Sequence, residues 1–229
     1  MDHEFLVVHT QRLVAIRHRL LNVYGQPEWR NPLPLVDELV STFLSQNTND
    51  TNRDKAFFAL KDHFLNWEAV RDADLTELMD VIRIAGLANQ KGPNIQNALR
   101  IITEQEGRIA LEFLQEMSID QAKNWLTNLK GVGPKTAAIV LLFSLGMPAF
   151  PVDTHIYRVT GRIGLRPMSM NVEKVHIYLE TISPPESYYD LHLNLIRLGR
   201  ETCQARKPMC WQCPVVDLCC FESKTDKSD

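Results

Sequence analysis

Apolar residues recur at three- and four-residue intervals along nearly the whole chain, and no stretch alternates apolar with polar for long enough to make a strand. A sequence carrying only the helical period must build its core by packing helix on helix, so the fold class is all-α. Phe5-Leu6-Val7, Leu13-Val14, Ile16 and Leu20-Leu21 mark an amphipathic opening helix. A loop with Gly25, Pro27, Pro32 and Pro34 interrupts it. The pattern resumes over Leu35–Leu44, Asn52–Phe64 and Leu75–Ile84, the last with Asp74 as its N-cap. Pro93–Glu106 reads as a further helix with proline near its first turn. Ser118-Ile119-Asp120-Gln121 has the spacing of a capping box, opening a helix that runs through Leu129. The polar tail Glu222–Asp229 is expected to fray.

At 229 residues the chain has room for one large domain or two small ones. Hydrophobic residues make up 45%, enough for a real core. The amino-terminal MDHEFLVVHTQR has acids where a secretory leader has a basic region. The longest uncharged stretch, Thr136–Val152, is broken by Gly146, Pro148 and Pro151 well short of a membrane span. The expectation is therefore a soluble intracellular protein without a membrane partner. A net charge of −3 hides an uneven distribution. From Gln121 to Ser169, Lys123, Lys130, Lys135, Arg158, Arg162 and Arg166 stand against Asp153 alone, whereas Asp50–Asp80 holds eight acids and four bases. A basic face suits a phosphate backbone, although sign mixing on helix surfaces gives similar counts.

All five cysteines lie between 203 and 220, in CQARKPMCWQCPVVDLCC. Cys203, Cys210, Cys213 and Cys219 are spaced C-x6-C-x2-C-x5-C. Cysteines used for packing scatter through a core, and a disulfide framework fits poorly with an intracellular chain. Four thiolates in one loop suit zinc or an iron–sulfur cubane, and the single C-x2-C knuckle weighs towards the cubane. Cys220 is the spare thiol, expected in buried packing. Arg206 and Lys207, between the first two cysteines, either meet phosphate or balance the thiolate charge.

In NLKGVGPKTAAIVLL, Gly131-Val132-Gly133-Pro134 forms a turn leading into a helix over Thr136–Leu145 that stops at Gly146. The glycines permit backbone angles that other residues resist and let a nucleic-acid backbone approach closely. The helix N-terminus behind them favours an anion, so the turn is a candidate phosphate seat that reads no sequence. A tight helix–helix connection is the plainer alternative. Lys135 opposes the helix dipole, by about 0.3–1 kcal/mol. The same field favours the neutral amine, the form a nucleophilic lysine needs. Eighteen positions on, Asp153 in FPVDTHIYRVTGR follows the extended Pro151-Val152 and stands where an N-cap belongs, before a helix from Thr154. A fixed carboxylate there would cap the helix and could also stabilise positive charge developing on a sugar.

Together LKGVGPKTA (129–137), PVDTHIYRV (151–159), LGRETC (198–203) and the four-cysteine loop resemble the helix-hairpin-helix DNA glycosylase superfamily, in its endonuclease III-like branch. The resemblance spans nearly the whole chain. It implies a six-helix barrel domain at 27–147 ending in the hairpin, and a discontinuous cluster domain at 1–26 and 148–229, with a DNA-binding cleft between them and Lys135 facing Asp153 across it. It implies a 4Fe–4S cluster on Cys203, Cys210, Cys213 and Cys219. The partner it implies is double-stranded DNA containing a damaged base or abasic site, bound by a monomer that is cytoplasmic or nucleoid-associated in a bacterium or archaeon. The hairpin (Lys130, Gly131, Val132, Gly133) and Arg206 and Lys207 would contact the DNA backbone. FLSQNTND (43–50) places Gln46 at the position that fills the gap left by a flipped base, and AGLANQKGPNI (85–95) places Leu87 as a second wedge, a helix-end cap for Gln46 and a core position for Leu87 being the plainer alternatives.

The implied chemistry is base excision. Lys135 attacks C1′ of a flipped nucleotide, Asp153 stabilises the oxocarbenium-like charge, the base leaves, and the resulting Schiff base permits β-elimination. A lysine at 135 points to a bifunctional glycosylase and abasic-site lyase acting by default on an oxidised pyrimidine. Thr42 stands where adenine-excising relatives carry a catalytic glutamate, which weighs against adenine mismatches. Lys130 replaces the hairpin's usual proline. SQNTND and FPVDT are also similar to the plant demethylating glycosylases, so mismatched thymine or uracil, modified cytosine and oxidised purine stay open as substrates. A non-catalytic iron–sulfur DNA-binding protein is the alternative of another class, and it would need neither Lys135 nor Asp153.

Overall fold

The computed structural model describes residues 3–227; Met1, Asp2, Ser228 and Asp229, the last two belonging to the expected fraying tail, lie outside the described residues. Among those described there is no strand, and the chain is helical throughout. It divides into two compact units, Asn31–Met147 and Met1–Arg30 with Pro148–Asp229.

The contiguous unit holds α2 (Leu35–Ser45), α3 (Asp50–His63), α4 (Trp67–Asp72), α5 (Leu75–Val81), α6 (Ala88–Glu106), α7 (Ile119–Thr127) and α8 (Pro134–Ile139). α3, α4, α5 and α7 begin where side-chain oxygens satisfy orphan N–H groups. Asp74 accepts from Thr76 and Glu77 at the start of α5. Ser118 and Gln121 form a reciprocal capping box on α7. Asn49 and Asn66 cap α3 and α4 through Asn52 N–H and Ala69 N–H. The core is shared by Leu39, Phe43, Leu60, Ile95, Leu99 and Leu141, none more than 1% exposed. Each such burial contributes about 1.5–3 kcal/mol before chain entropy is subtracted.

Several boundaries differ from the sequence expectation. α6 starts at Ala88, five residues before Pro93, which therefore sits inside the helix. A proline there removes its own N–H from the ladder and crowds the carbonyl four residues back, and packing of α6 against α2, α4 and α5 carries the helix through. The segment Leu75–Ile84 is α5 to Val81 and then a separate 3₁₀ turn, Arg83–Ala85. α4 is a six-residue helix too short to show a period in sequence. α7 ends at Thr127, because the chain must turn at Asn128–Gly133 to reach α8. The expected helix over Thr136–Leu145 is α8 followed by a π-helical turn, Val140–Ser144, and it stops before Gly146 at φ +64°.

The discontinuous unit holds α1 (His3–Tyr24), α9 (Thr154–Arg162), α10 (Val172–Ile182), α11 (Tyr188–Glu201) and the cysteine loop. Leu13, Ile16 and Leu20 lie on one face of α1 and are at most 1% exposed. Arg17 fixes α1 to α11 through a two-pronged pair with the buried Asp190, Nε to Oδ1 at 2.8 Å and Nη2 to Oδ2 at 2.6 Å. Breaking one side of such a pair leaves a buried charge without compensation. This pair brings the amino-terminal helix to the carboxy-terminal half of the chain.

Candidate active site

The connection from α7 to α8 is a type II turn. Val132 N–H donates to Leu129 O at 3.0 Å, and Gly131 occupies the third position with φ +85°. Gly131 is required twice over, because a Cβ there would also run into the Asn94 side chain and come within 3.2 Å of Phe43 Cε1. Gly133 is different. At φ −97° and ψ 178° it is ordinary extended backbone, and a Cβ would meet nothing within 4 Å. Its lack of a side chain leaves the turn open to an approaching surface; no unusual backbone angle demands it. The Val132 side chain is 6% exposed and its N–H is used in the turn, which leaves the outer face to Lys130, Gly131 and Gly133.

Lys135 is the second residue of α8, half-buried, and forms no ion pair or hydrogen bond within the described residues. Beyond α8 the π turn buries Val140, Leu141, Leu142 and Phe143 in the core. Such bulges re-aim side chains and often accompany functional sites.

Gln46, the C-cap of α2, is tied to the same hairpin, its Nε2 donating to Gly131 O at 2.9 Å. Leu87 is 42% exposed and left-handed (φ 51°, ψ 34°), so it is not a core residue. A branched apolar side chain in that region stores strain and is held there by its surroundings. The positive-φ residues other than glycine are Asn47, Leu87 and Lys207, and each falls in a segment singled out in the sequence. Thr42 is buried, with its hydroxyl donating to Glu38 O at 2.8 Å.

In the other unit, Asp153 caps α9, its Oδ1 accepting from Ile156 N–H at 2.7 Å. Among the described residues Oδ2 has no partner. The strap in front of Asp153 is held by side chains that carry no motif. His176 Nδ1 lies 2.9 Å from Phe150 O, His192 Nδ1 lies 2.9 Å from Pro151 O, and Glu180 Oε1 accepts from Phe150 N–H at 2.9 Å. Both histidines are buried. Sequence reasoning missed all three, since their role depends on contacts between residues 26 to 41 positions apart.

Cys203, Cys210, Cys213 and Cys219 line one cavity of about 360 Å³, counting its open mouth, with Arg162, Leu198, Val216, Phe221 and Lys224 among its other walls. Burial, with the neighbouring thiols adding to it, pushes the Cys213 thiol up to about 11, and burial raises that of Cys219 as well. A thiol raised by burial, as at Cys213 and Cys219, is held as a thiolate when a cation compensates it. No three His, Cys, Asp or Glu side chains among the described residues converge as a single-ion site requires. The donor set, four thiols lining one cavity, is of the kind that a thiolate-bound metal group requires. The cations lining the cavity are Arg162 and Lys224, whereas Arg206 and Lys207 are exposed, outside it and without partners among the described residues. Their loop is closed by Met209 N–H to Thr202 O and pinned by Arg162 to the carbonyls of Gln204 and Ala205. Cys220 is exposed, contrary to the packing role expected for it, with Arg12 Nη2 at 2.9 Å from its Sγ.

Residues 40–185 match the family model described as HhH-GPD superfamily base excision DNA repair protein. The chain belongs to that superfamily. It is a helix-hairpin-helix glycosylase of the endonuclease III type. Endonuclease III of Escherichia coli K12 is 37% identical over 188 residues, which are 82% of this chain and 84% of that protein. A protein of Arabidopsis thaliana named as a candidate DNA glycosylase is 36% identical over 173 residues, 76% of this chain, and the match spans 59% of its length. Among solved structures, a non-covalent endonuclease III–DNA complex superposes with a TM-score of 0.79 at 27% identity, over 92% of this chain and 94% of that one. The hairpin and the whole of the α9–α10 segment fall inside the family match, and the cysteine loop lies beyond it.

Proposed function

We propose that this base excision repair glycosylase and abasic-site lyase removes oxidised pyrimidines from double-stranded DNA, with Lys135 as nucleophile and Asp153 as the stabilising carboxylate. The observation that carries the assignment is the state of the two side chains. Lys135 is an unpaired amine in the first turn of α8, and Asp153 gives one oxygen to its helix and keeps the other unengaged. A lysine that only served stability would find a carboxylate or full solvent, and a carboxylate that only capped a helix needs no partner motif.

In this assignment both groups act on one deoxyribose. The Lys135 amine bonds to C1′ as the C1′–N bond to the base breaks, and the base departs with the bonding pair and a proton. Asp153 lowers the energy of the positive charge that builds on the sugar before the new bond is complete. The sugar ring then opens, C1′–O4′ breaking with O4′ taking a proton as the Lys135 nitrogen becomes the protonated Schiff base; loss of a proton from C2′ breaks the C3′–O bond with the phosphate as leaving group, and water hydrolyses the imine to release Lys135. The exposed Lys130–Gly133 turn and the Arg206–Lys207 loop would meet phosphates, while Gln46 and Leu87 would occupy the gap beside the flipped nucleotide. Cys203, Cys210, Cys213 and Cys219 would hold a 4Fe–4S cluster, whose contribution is to cross-link the loop that presents Arg206 and Lys207.

Borohydride reduction on a duplex containing an abasic site should trap wild-type protein covalently, and Lys135→Met should abolish the adduct. A full yield of adduct from Lys135→Met would refute the nucleophile. Protein purified without oxygen should contain iron and sulfide and lose both in Cys213→Ser while Cys220→Ser keeps them. Stoichiometric zinc in their place would refute the cluster. Excision of 5,6-dihydrouracil and thymine glycol, compared with 8-oxoguanine and thymine opposite guanine, tests the substrate class.

A further inference from the structure

Among the described residues Lys91 is the one lysine that is buried, at 2% exposure. Its ammonium bonds no carboxylate. It donates to Leu44 O and to Ala85 O, both at 2.8 Å. Each carbonyl is at the end of a helical segment, Leu44 in the last turn of α2 and Ala85 closing the 3₁₀ turn Arg83–Ala85. Carbonyls at such ends have lost their helical partners and carry the negative end of the dipole, so a cation is favoured there. Burial pushes the ammonium down to about 8.

The two carbonyls have one thing in common. Leu44 is two residues before Gln46, and Ala85 is two residues before Leu87. Both following segments leave ordinary backbone geometry at once, at Asn47 (φ 52°) and at Leu87 itself (φ 51°). Lys91 lies four residues after Leu87 on α6, and helical side chains lean back towards the N-terminus, so its amine comes to rest beneath both loops. Gln46 is in turn bonded to the hairpin carbonyl of Gly131.

We propose that Lys91 is a positioning residue that sets the relative placement of the Gln46 and Leu87 loops, so that both side chains enter the duplex together at a damaged site. This rests on the assignment of Gln46 and Leu87 above. One ammonium bonded to two carbonyls fixes the distance between two loops that share no other bond through it. A side chain without donors would leave both loops folded but unregistered, and the strained Leu87 conformation would lose its support. A misplacement of about 1 Å at such a site is enough to cost ~10²-fold in rate.

The test uses the holoenzyme and two duplexes, one with an uncleavable abasic-site analogue and one undamaged. Lys91→Met, similar in length and without donors, is expected to lose most of the preference for the analogue, by ~10-fold or more, the size of one lost charged hydrogen bond, while its affinity for undamaged duplex stays at the wild-type value. Lys91→Arg, which keeps the donors, should recover part of the preference. A residue needed only for folding would lower both affinities in proportion to the folded fraction. Wild-type preference in folded Lys91→Met overturns the proposal. If Lys91→Met does not fold, Lys91→Gln, whose amide reaches only one carbonyl, replaces it. Hydrogen exchange should then rise over residues 46–48 and 87–89 together, with the interior of α6 unchanged, and unchanged exchange in both loops overturns the proposal. A wild-type enzyme with no preference for the analogue would instead refute the assignment of Gln46 and Leu87, so the two failures are distinguishable.

Discussion

Asp153 has two candidate duties, and one pair of substitutions separates them. As a cap it needs only an oxygen 2.7 Å from Ile156 N–H, which Asn supplies as well as Asp. Asp153→Asn should therefore leave stability within a few tenths of a kcal/mol, whereas Asp153→Ala should cost about 1 kcal/mol. In a chain of this size that corresponds to a fall in melting temperature of about 2–4 °C. As an electrostatic stabiliser it needs its charge, which Asn and Ala both lack. Removing one preorganised group of this kind typically costs about 10²–10³ in rate. Single-turnover excision from a duplex carrying 5,6-dihydrouracil should then fall by that factor in both variants, although only one has lost the cap. Thermal melting on the same preparations supplies the other axis. An Asp153→Asn enzyme with wild-type excision would refute the catalytic role and leave the carboxylate as a helix cap alone. Equal melting of the Ala variant and wild type would refute the cap.

The hairpin glycines should separate in the same way. Gly131→Ala meets both φ +85° and the Asn94 side chain, and chemical denaturation should show a loss of more than ~1 kcal/mol. Gly133→Ala, in extended backbone and open space, should change stability by less than ~1 kcal/mol and instead weaken binding to undamaged duplex at fixed salt. Lys91 gives a pH signature. Its ammonium releases a proton near pH 8 in the fold but near 10.5 when unfolded, so the unfolded chain binds more protons between those values. The stability contributed by this group should therefore rise with pH from about 8 towards 10.5, by at most roughly 3 kcal/mol, and stay flat below 8. Denaturation of wild type against Lys91→Met across that range reads the difference, and parallel pH profiles would contradict it.

Much of this protein is legible in its sequence because the relevant physics is local. Caps need an oxygen within three residues of the N–H they satisfy, and Asp74, the Ser118–Gln121 box and Asp153 all act where their spacing places them. Gly131 before Pro134 announces a turn with one residue of positive φ opening a helix. The cysteine spacing marks a loop closed on itself, and its four thiols do line one cavity. The period of the apolar residues is enough to exclude strands. Tertiary structure decided what depends on distant partners. The sequence places Pro93 near the first turn of a helix, whereas packing on three other helices lets α6 begin at Ala88 and run through it. Leu87 could have been core until the fold exposed it in a left-handed conformation. Cys220 and Cys219 are adjacent in sequence, yet one is exposed beside Arg12 and the other lines the cavity. Lys91 carries no local signal, because an isolated lysine on a helix reads as a solvated charge. Its burial and its two carbonyls exist only once α2, α6 and the 3₁₀ turn have come together, and hydrogen bonds between residues as far as 47 positions apart cannot be read from a one-dimensional pattern.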